Sequence, residues 1–263
     1  MSDNDTVTAC VLIIGNEVLS GRTKDANLHW LAGRLTDLGI RMKEARVIPD
    51  DEDIIVDAVN HARENFTYVF TTGGIGPTHD DITSACVAKA FGVGVHRDLK
   101  AKALLEAYIP AERMNEARLK MADVPVGAVL VENPISKAPG FRMDNVFVMA
   151  GVPSIMRGMF EGISALLVGG EKVKSVSLAS YLPEGTVAEP LAEIQDRHPA
   201  VEIGSYPFFR SGKYGCTLVS RSTDEDELQA TADEICDMIR GLGDEPLNED
   251  LVTAEEDENP EEY

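Results

Sequence analysis

Apolar and polar positions follow two rhythms along the first two-thirds of the chain. Thr8 to Ile14 (TACVLII) is an unbroken apolar run closed by Gly15, the pattern of a strand buried in a parallel sheet. Leu28, Leu31, Leu35 and Leu38 then recur at helical spacing, and Gly39 stops them. Arg41 to Ile48 predicts a second strand, and Ile55, Val59 and Ala62 form the apolar stripe of the next helix. Tyr68 to Thr72 (YVFTT) predicts a third strand that runs directly into a glycine cluster. Ile82 to Phe91 reads as a helix closed by Gly92, and the Ala/Lys/Glu-rich stretch from Leu99 to Met121 as helical too. Strands at Ala128–Val131 and Val146–Met149 and a helix at Ser154–Leu167 complete the series. Strands separated by helices of this length predict an α/β fold over residues 1–170: three layers, α/β/α, around a mostly parallel sheet.

The rhythm changes at Gly169-Gly170, which reads as a linker. Beyond it come a strand (Val173–Tyr181), a helix (Thr186–Arg197), two strands (Val201–Tyr206 and Tyr214–Arg221) around a turn at Ser211-Gly212, and a helix (Asp224–Leu242). That β-α-β-β-α order predicts a second, small α+β domain over residues 171–243.

Charge alters the picture at the C-terminus. The formal net charge is −21, yet ten of the acidic side chains lie between Asp244 and Tyr263, where there is no Lys or Arg. Residues 244–263 therefore read as a solvated, disordered acidic tail. So acidic a surface repels a phosphate backbone, which disfavours nucleic acid as a partner. No apolar run reaches the ~18 residues of a membrane span, and the acidic N-terminus is unlike a signal peptide, so the expected location is cytoplasmic. Cys10, Cys86, Cys216 and Cys236 are scattered without CxxC spacing and read as ordinary thiols.

The segment richest in chemistry is Thr71-Thr72-Gly73-Gly74-Ile75-Gly76-Pro77-Thr78-His79-Asp80-Asp81-Ile82-Thr83. It follows a buried strand and precedes a helix, the place where open α/β sheets bind ligands. Glycines there let backbone amides approach phosphate oxygens, and a helix N-terminus favours the negative charge. Thr78 with Asp81 fits a capping box. An ordinary capped strand-helix turn would account for the glycines and Thr78, but not for Asp80 beside Asp81, since adjacent carboxylates repel unless they share a cation. Neither common phosphate loop is spelled here. No Lys follows the glycines as a P-loop requires, and His79 stands where a Rossmann fingerprint needs its third glycine.

Two further segments accompany it. Gly15-Asn16-Glu17-Val18-Leu19-Ser20-Gly21-Arg22-Thr23-Lys24-Asp25-Ala26-Asn27 could bring Glu17, Asp25 and Asn27 to the same rim, although Asp25 or Thr23 can equally cap the following helix. Asn133-Pro134-Ile135-Ser136-Lys137-Ala138-Pro139-Gly140-Phe141, with Ala150-Gly151-Val152-Pro153, offers Lys137 to a phosphate or simply turns the chain. His79 is either a proton shuttle or a solvated loop histidine.

Together the three segments resemble the molybdopterin-binding (MoCF) domain family, and within it the CinA competence/damage-inducible branch. IGNEVLSGRTKDAN, TTGGIGPTHDDIT and the NP…APGF…AGVP end carry the resemblance over about residues 6–170. Residues 175–242, especially Ile203-Gly204-Ser205-Tyr206-Pro207-Phe208-Phe209, resemble the small middle domain of CinA proteins. The chain departs from the branch at Ile135-Ser136-Lys137, where a Gly-Thr pair is frequent, and at Ala150, where a proline is common.

The resemblance implies a metal-dependent nucleotide pyrophosphatase acting on ADP-ribose or a related dinucleotide. The alternatives are molybdopterin binding or adenylyl transfer in molybdenum-cofactor biosynthesis, and a non-catalytic nucleotide-binding module. It implies a divalent cofactor, Mg²⁺ or similar, held by Asp81 and Asp80 with Glu17, those two aspartates being the catalytic pair. Thr72, Gly73, Gly74, Gly76, Thr78, Asn27 and Lys137 would bind the phosphate or ligand. The expected partners are a nucleotide or pterin pyrophosphate, molybdopterin among them, and further copies of the chain as a homo-oligomer. The C-terminal amidohydrolase domain of full CinA proteins is expected to be absent.

Overall fold

The computed structural model describes residues 6–210 and 212–248, and the chain divides into two compact units, residues 1–171 and 172–263. The first unit opens with β1 (Thr8–Ile14), a short α1 (Asn16–Leu19), α2 (Asn27–Asp37), β2 (Arg41–Ile48), α3 (Glu52–Asn65) and β3 (Tyr68–Thr72). It continues through α4 (Thr83–Ala90), β4 (Val95–Arg97), α5 (Leu99–Tyr108), α6 (Glu116–Leu119), β5 (Asp123–Pro125) and β6 (Val129–Val131). It closes with β7 (Gly140–Met143), β8 (Val146–Met149) and α7 (Pro153–Ser164).

The central sheet has the order β2-β1-β3-β8-β7-β6, parallel across its first four strands and antiparallel at β7 and β6. Side-chain alternation along β1 divides the core between the two faces. Cys10, Leu12 and Ile14 pack with Ile55, Val59 and Val87 from α3 and α4 on one side. Ala9, Val11 and Ile13 pack with Leu31, Leu35, Met156 and Phe160 from α2 and α7 on the other. This is the predicted three-layer α/β/α arrangement, on a sheet that is mixed.

The 99–121 stretch is helical as expected, but in pieces: α5 ends before Pro110, which cannot supply the next helical amide, and Asn115 starts α6 by accepting from the Arg118 amide at 2.9 Å. One local expectation is corrected. The strand β7 lies where only a Pro/Gly turn was read. Its Gly140 is required because a Cβ there would stand 2.1 Å from the Val148 carbonyl oxygen.

The second unit runs β9 (Lys174–Ser180), α8 (Glu184–Arg197), β10 (Glu202–Arg210), β11 (Lys213–Ser222), α9 (Glu225–Gly241) and β12 (Leu247–Asn248). Its antiparallel sheet, ordered β10-β11-β9-β12, packs Cys216 and Leu218 against Val187, Leu191 and Ile194 of α8 and Ile235 and Ile239 of α9. Gly212 lies in the β10–β11 turn at φ 75°; Ser211 is outside the described residues.

The acidic tail expected from residue 244 does not begin there. Asp244 accepts from the Ser180 hydroxyl and the Tyr181 amide, both at 2.8 Å, and β12 pairs with Ala179 and Leu178 of β9. Residues 249–263, the rest of that expected tail, lie outside the described residues. Cys10, Cys86 and Cys216 are buried and Cys236 half-buried, and none of the four is in a disulfide. Burial pushes the Cys10 thiol up to about 12 and that of Cys86 up to about 11, so both are inert packing groups. Among the described residues, no helix is long and apolar enough to cross a membrane.

One ionic cluster ties α8 to α9. His198 lies 3.1 Å from Glu227 and 2.8 Å from Glu234, and Arg197 also reaches Glu234 at 2.6 Å. Glu227 and then Glu234 raise the His198 pKa above its ordinary 6.5, while Arg197 and then His198 lower that of Glu234 below 4.5. The His198 contribution is therefore fully present below pH 6.5 and lost as pH rises through the raised value; the Glu234 contribution is present above 4.5 and lost as pH falls through the lowered one. Denaturant unfolding of this unit should show greatest stability between those limits, and His198→Gln should flatten the alkaline limb. An unchanged alkaline limb in the variant would remove His198 as its cause.

Candidate functional site

The carboxyl ends of β1 and β3, and Gly151 and Pro153 just beyond the end of β8, border a cleft of about 50 Å³. Glu17, Thr23, Lys24, Asp25, Asn27 and Thr72 provide its polar wall. The chain reaches it through Gly15, whose amide donates to the Ile48 carbonyl at 3.1 Å, and through Asn16, whose amide donates to Asp50 at 2.9 Å. Glu17 is exposed, and its carboxylate folds back over Gly15. Asp25 performs the capping role, accepting from the Leu28 amide at 2.8 Å.

Two groups on this wall stand out chemically. Thr72 is 1% exposed and Asn27 is 3% exposed, and neither Thr72 Oγ1 nor Asn27 Oδ1 has a hydrogen-bond partner. Buried polar atoms are normally paired, so unpaired ones on residues bordering a cleft are candidates for contact with a ligand.

The glycine loop leaves β3 at once. Gly73 donates its amide to the Met149 carbonyl at 3.1 Å, extending the β3–β8 ladder. That amide, expected to meet phosphate, is taken up by the sheet. Thr83 holds the far side of the loop, its amide donating to the Gly74 carbonyl at 3.0 Å and its hydroxyl to the Gly73 carbonyl at 3.1 Å. Among the described residues no protein acceptor meets the amide of Gly74 or Gly76.

The Thr78–Asp81 pair exists, but it caps no helix, because α4 starts only at Thr83. Asp81 Oδ2 accepts from both the amide and the hydroxyl of Thr78, the former at 2.8 Å, which closes a tight turn inside the loop. Lys120 clamps that turn from outside by donating to the Thr78 carbonyl at 2.8 Å. Asp80 remains exposed, with His79 4.0 Å away and itself almost wholly solvated. The Thr78 hydroxyl, which Asp80 shares with Asp81, and then the Asp80 amide hold the Asp80 carboxyl below its ordinary value against desolvation, with His79 and Lys120 adding to the lowering.

The structure thus separates the predicted residues. Glu17, Asn27 and Thr72 share the cleft; Gly76, Thr78, Asp80 and Asp81 belong to the loop beyond it. Glu17, Asp80 and Asp81 do not form a joint ligand set: among the described residues no three His, Cys, Asp or Glu side chains stand together as a metal cage. Lys137 is not on the cleft wall. It sits at φ 61° in a turn knitted by Asn133, which accepts from the Ile135 and Ser136 amides at 3.0 Å. Lys24 is a cation that does line the cleft. It lay in plain view within the first motif, but nothing about a lone loop lysine distinguishes it before the chain folds.

A three-layer α/β domain with a glycine loop and a cleft at the carboxyl rim of its parallel strands is therefore the class of protein in hand. Residues 10–168 match the family described as probable molybdopterin binding domain, and the chain belongs to that family. Residues 172–242 match the middle domain of FAD synthase, a different label from the CinA middle domain expected for them. A protein of Archaeoglobus fulgidus is 36% identical over 197 residues, covering 75% of this chain and 84% of its own. A CinA-like protein of Syntrophus aciditrophicus is 34% identical over 84% of this chain, and a probable FAD synthase of Caenorhabditis elegans 30% identical over 89%. This chain spans 55% and 50% of the length of those two. Among solved structures, CinA of Thermoplasma acidophilum superposes with a TM-score of 0.58 at 32% identity, covering 62% of this chain and 98% of that one. The chain is a CinA-like member of the family, with a small second domain over residues 172–242.

Proposed function

We propose that the first unit hydrolyses a dinucleotide pyrophosphate such as ADP-ribose with the help of Mg²⁺ or a similar divalent ion. The observation that carries this reading is the unpaired, buried Thr72 hydroxyl on the cleft wall, one residue before a loop whose Gly74 and Gly76 amides also lack protein acceptors. Donors of this kind, beside a cationic Lys24, suit bridged phosphates.

The fit to a metal rests on donor chemistry. Magnesium is commonly held by one or two carboxylates and completes its shell with water and substrate phosphate oxygens, so a full protein cage is not required. Asp80, exposed and acidified, and the Asp81 oxygen that does not face Thr78 would hold it. Glu17 is not needed. When bound, the ion supplies neutralisation of phosphate charge and acidification of a water molecule. The Gly74 and Gly76 amides donate to phosphate oxygens, Thr72 adds a hydroxyl donor, and Lys24 offsets charge on the leaving side. Water adds to one phosphorus as the bridging P–O bond breaks, giving AMP and a sugar phosphate.

A second reading, binding or adenylylation of molybdopterin, is favoured by the family to which residues 10–168 belong. The similarity of residues 172–242 to FAD synthase places FAD beside ADP-ribose among the pyrophosphates to test. Chromatography of products after incubation with ADP-ribose, FAD, ATP and molybdopterin, under several divalent metals, separates these readings. ADP-ribose should bind more tightly than AMP in calorimetry, by a margin that shrinks on chelation, and should yield AMP. Equal, metal-independent affinity for the two would sink the pyrophosphate site. Tight metal-dependent binding without AMP release would leave a binding module.

A further inference from the structure

Asn27 opens α2 and is 3% exposed. Its Nδ2 donates to the Gly151 carbonyl at 2.7 Å, and this contact fixes the direction of the amide, because a carbonyl can accept only from the NH₂ end. The other end, Oδ1, is therefore an acceptor. It is buried, has no partner, and belongs to a residue lining the cleft. A buried acceptor is costly to leave unpaired, so the group that completes it must carry a hydrogen. Pyrophosphate oxygens carry none at neutral pH, so Oδ1 does not pair with them, while the second N–H of Nδ2 stays available as a donor.

Position narrows the donor. Gly151, which holds the amide, lies against the glycine loop: a Cβ on it would stand 3.3 Å from Gly73 Cα. In a nucleotide the donor nearest the phosphate is a sugar hydroxyl, whereas base amino groups lie a full ribose further away. The cleft, about 50 Å³, has room for the hydroxyl edge of a sugar. We infer that Asn27 Oδ1 accepts a hydrogen bond from a ribose hydroxyl of the bound nucleotide and makes the site selective against deoxy sugars. This rests on the proposed nucleotide reading and adds the sugar to it.

The test uses AMP and 2′,3′-dideoxy-AMP as probes of the full chain in calorimetry. The wild type should bind AMP about tenfold or more tightly than the dideoxy analogue, the effect of one buried acceptor left unmatched. In Asn27→Ala the two affinities should fall within about twofold of each other, since no acceptor remains to reward the hydroxyl. If that variant does not fold, the wild-type ratio decides alone. Equal wild-type affinity for the two probes, or an undiminished ratio in a folded Asn27→Ala, overturns the inference. Binding of neither probe at millimolar concentration overturns it together with the nucleotide reading. The expected ratio without ADP-ribose hydrolysis keeps the sugar contact and removes only the pyrophosphatase.

Discussion

Asp80→Asn is expected to cut turnover of ADP-ribose by on the order of 10²–10³-fold, the range for losing one charge-stabilising group, with an unchanged melting temperature. The separation of effects follows from the two aspartates' surroundings. Asp80 is exposed and its nearest ionic neighbour, His79, is 4.0 Å away, so the fold does not depend on its charge. Its carboxyl, held below its ordinary value, favours the ionised form, the one a hard cation takes. Asp81 instead closes the turn through Thr78, so Asp81→Asn should loosen the loop as well, visible as faster hydrogen exchange at the Thr78 amide. Steady-state rates at saturating Mg²⁺, read beside thermal melts, make the comparison. Near-full activity in Asp80→Asn would take that carboxylate out of the reaction.

The layers of the fold were legible because each depends on local pattern. β1 and β3 begin and end where their apolar runs do, and the buried residues of α3 include the predicted stripe of Ile55, Val59 and Ala62. What escaped reading depends on contacts across the chain. The strand β7 is disguised by Gly140, whose missing side chain lets the backbone approach Val148, and a glycine beside a proline reads as a turn. β12 has two residues and becomes a strand only by meeting β9, which local composition among acidic residues cannot foretell.

The site shows the same division. The motifs located the rim, and Asn27, Glu17 and Thr72 do meet there. The roles inside it were set by partners far away in sequence. Gly151, 124 residues on, turns Asn27 into an acceptor; Met149 takes the Gly73 amide; Lys120, 42 residues on, clamps Thr78. A spelling can place a carboxylate near a loop, but whether it faces a ligand or closes a turn is decided by geometry, and Asp80 and Asp81, adjacent in sequence, divide on that point.

Gly73→Ala should be the most damaging substitution at the loop, destabilising the first unit by about 3–5 kcal/mol. Two costs combine. Gly73 holds φ at 100°, a conformation a Cβ disfavours, and that Cβ would stand 2.2 Å from the Ile14 carbonyl oxygen, so β1 and β3 would have to part. The backbone cannot give way cheaply, because the Gly73 amide and carbonyl are engaged by Met149 and Thr83. Gly92 separates the two contributions. It too has positive φ, at 66°, but a Cβ there meets nothing within 4 Å. Gly92→Ala should therefore cost only about 1 kcal/mol, the conformational part alone. Urea unfolding of the two variants against the parent, at fixed m-value, measures the difference. Equal losses would mean that the close approach of the strands at Gly73 adds nothing, and that the glycine is there only for its backbone angle.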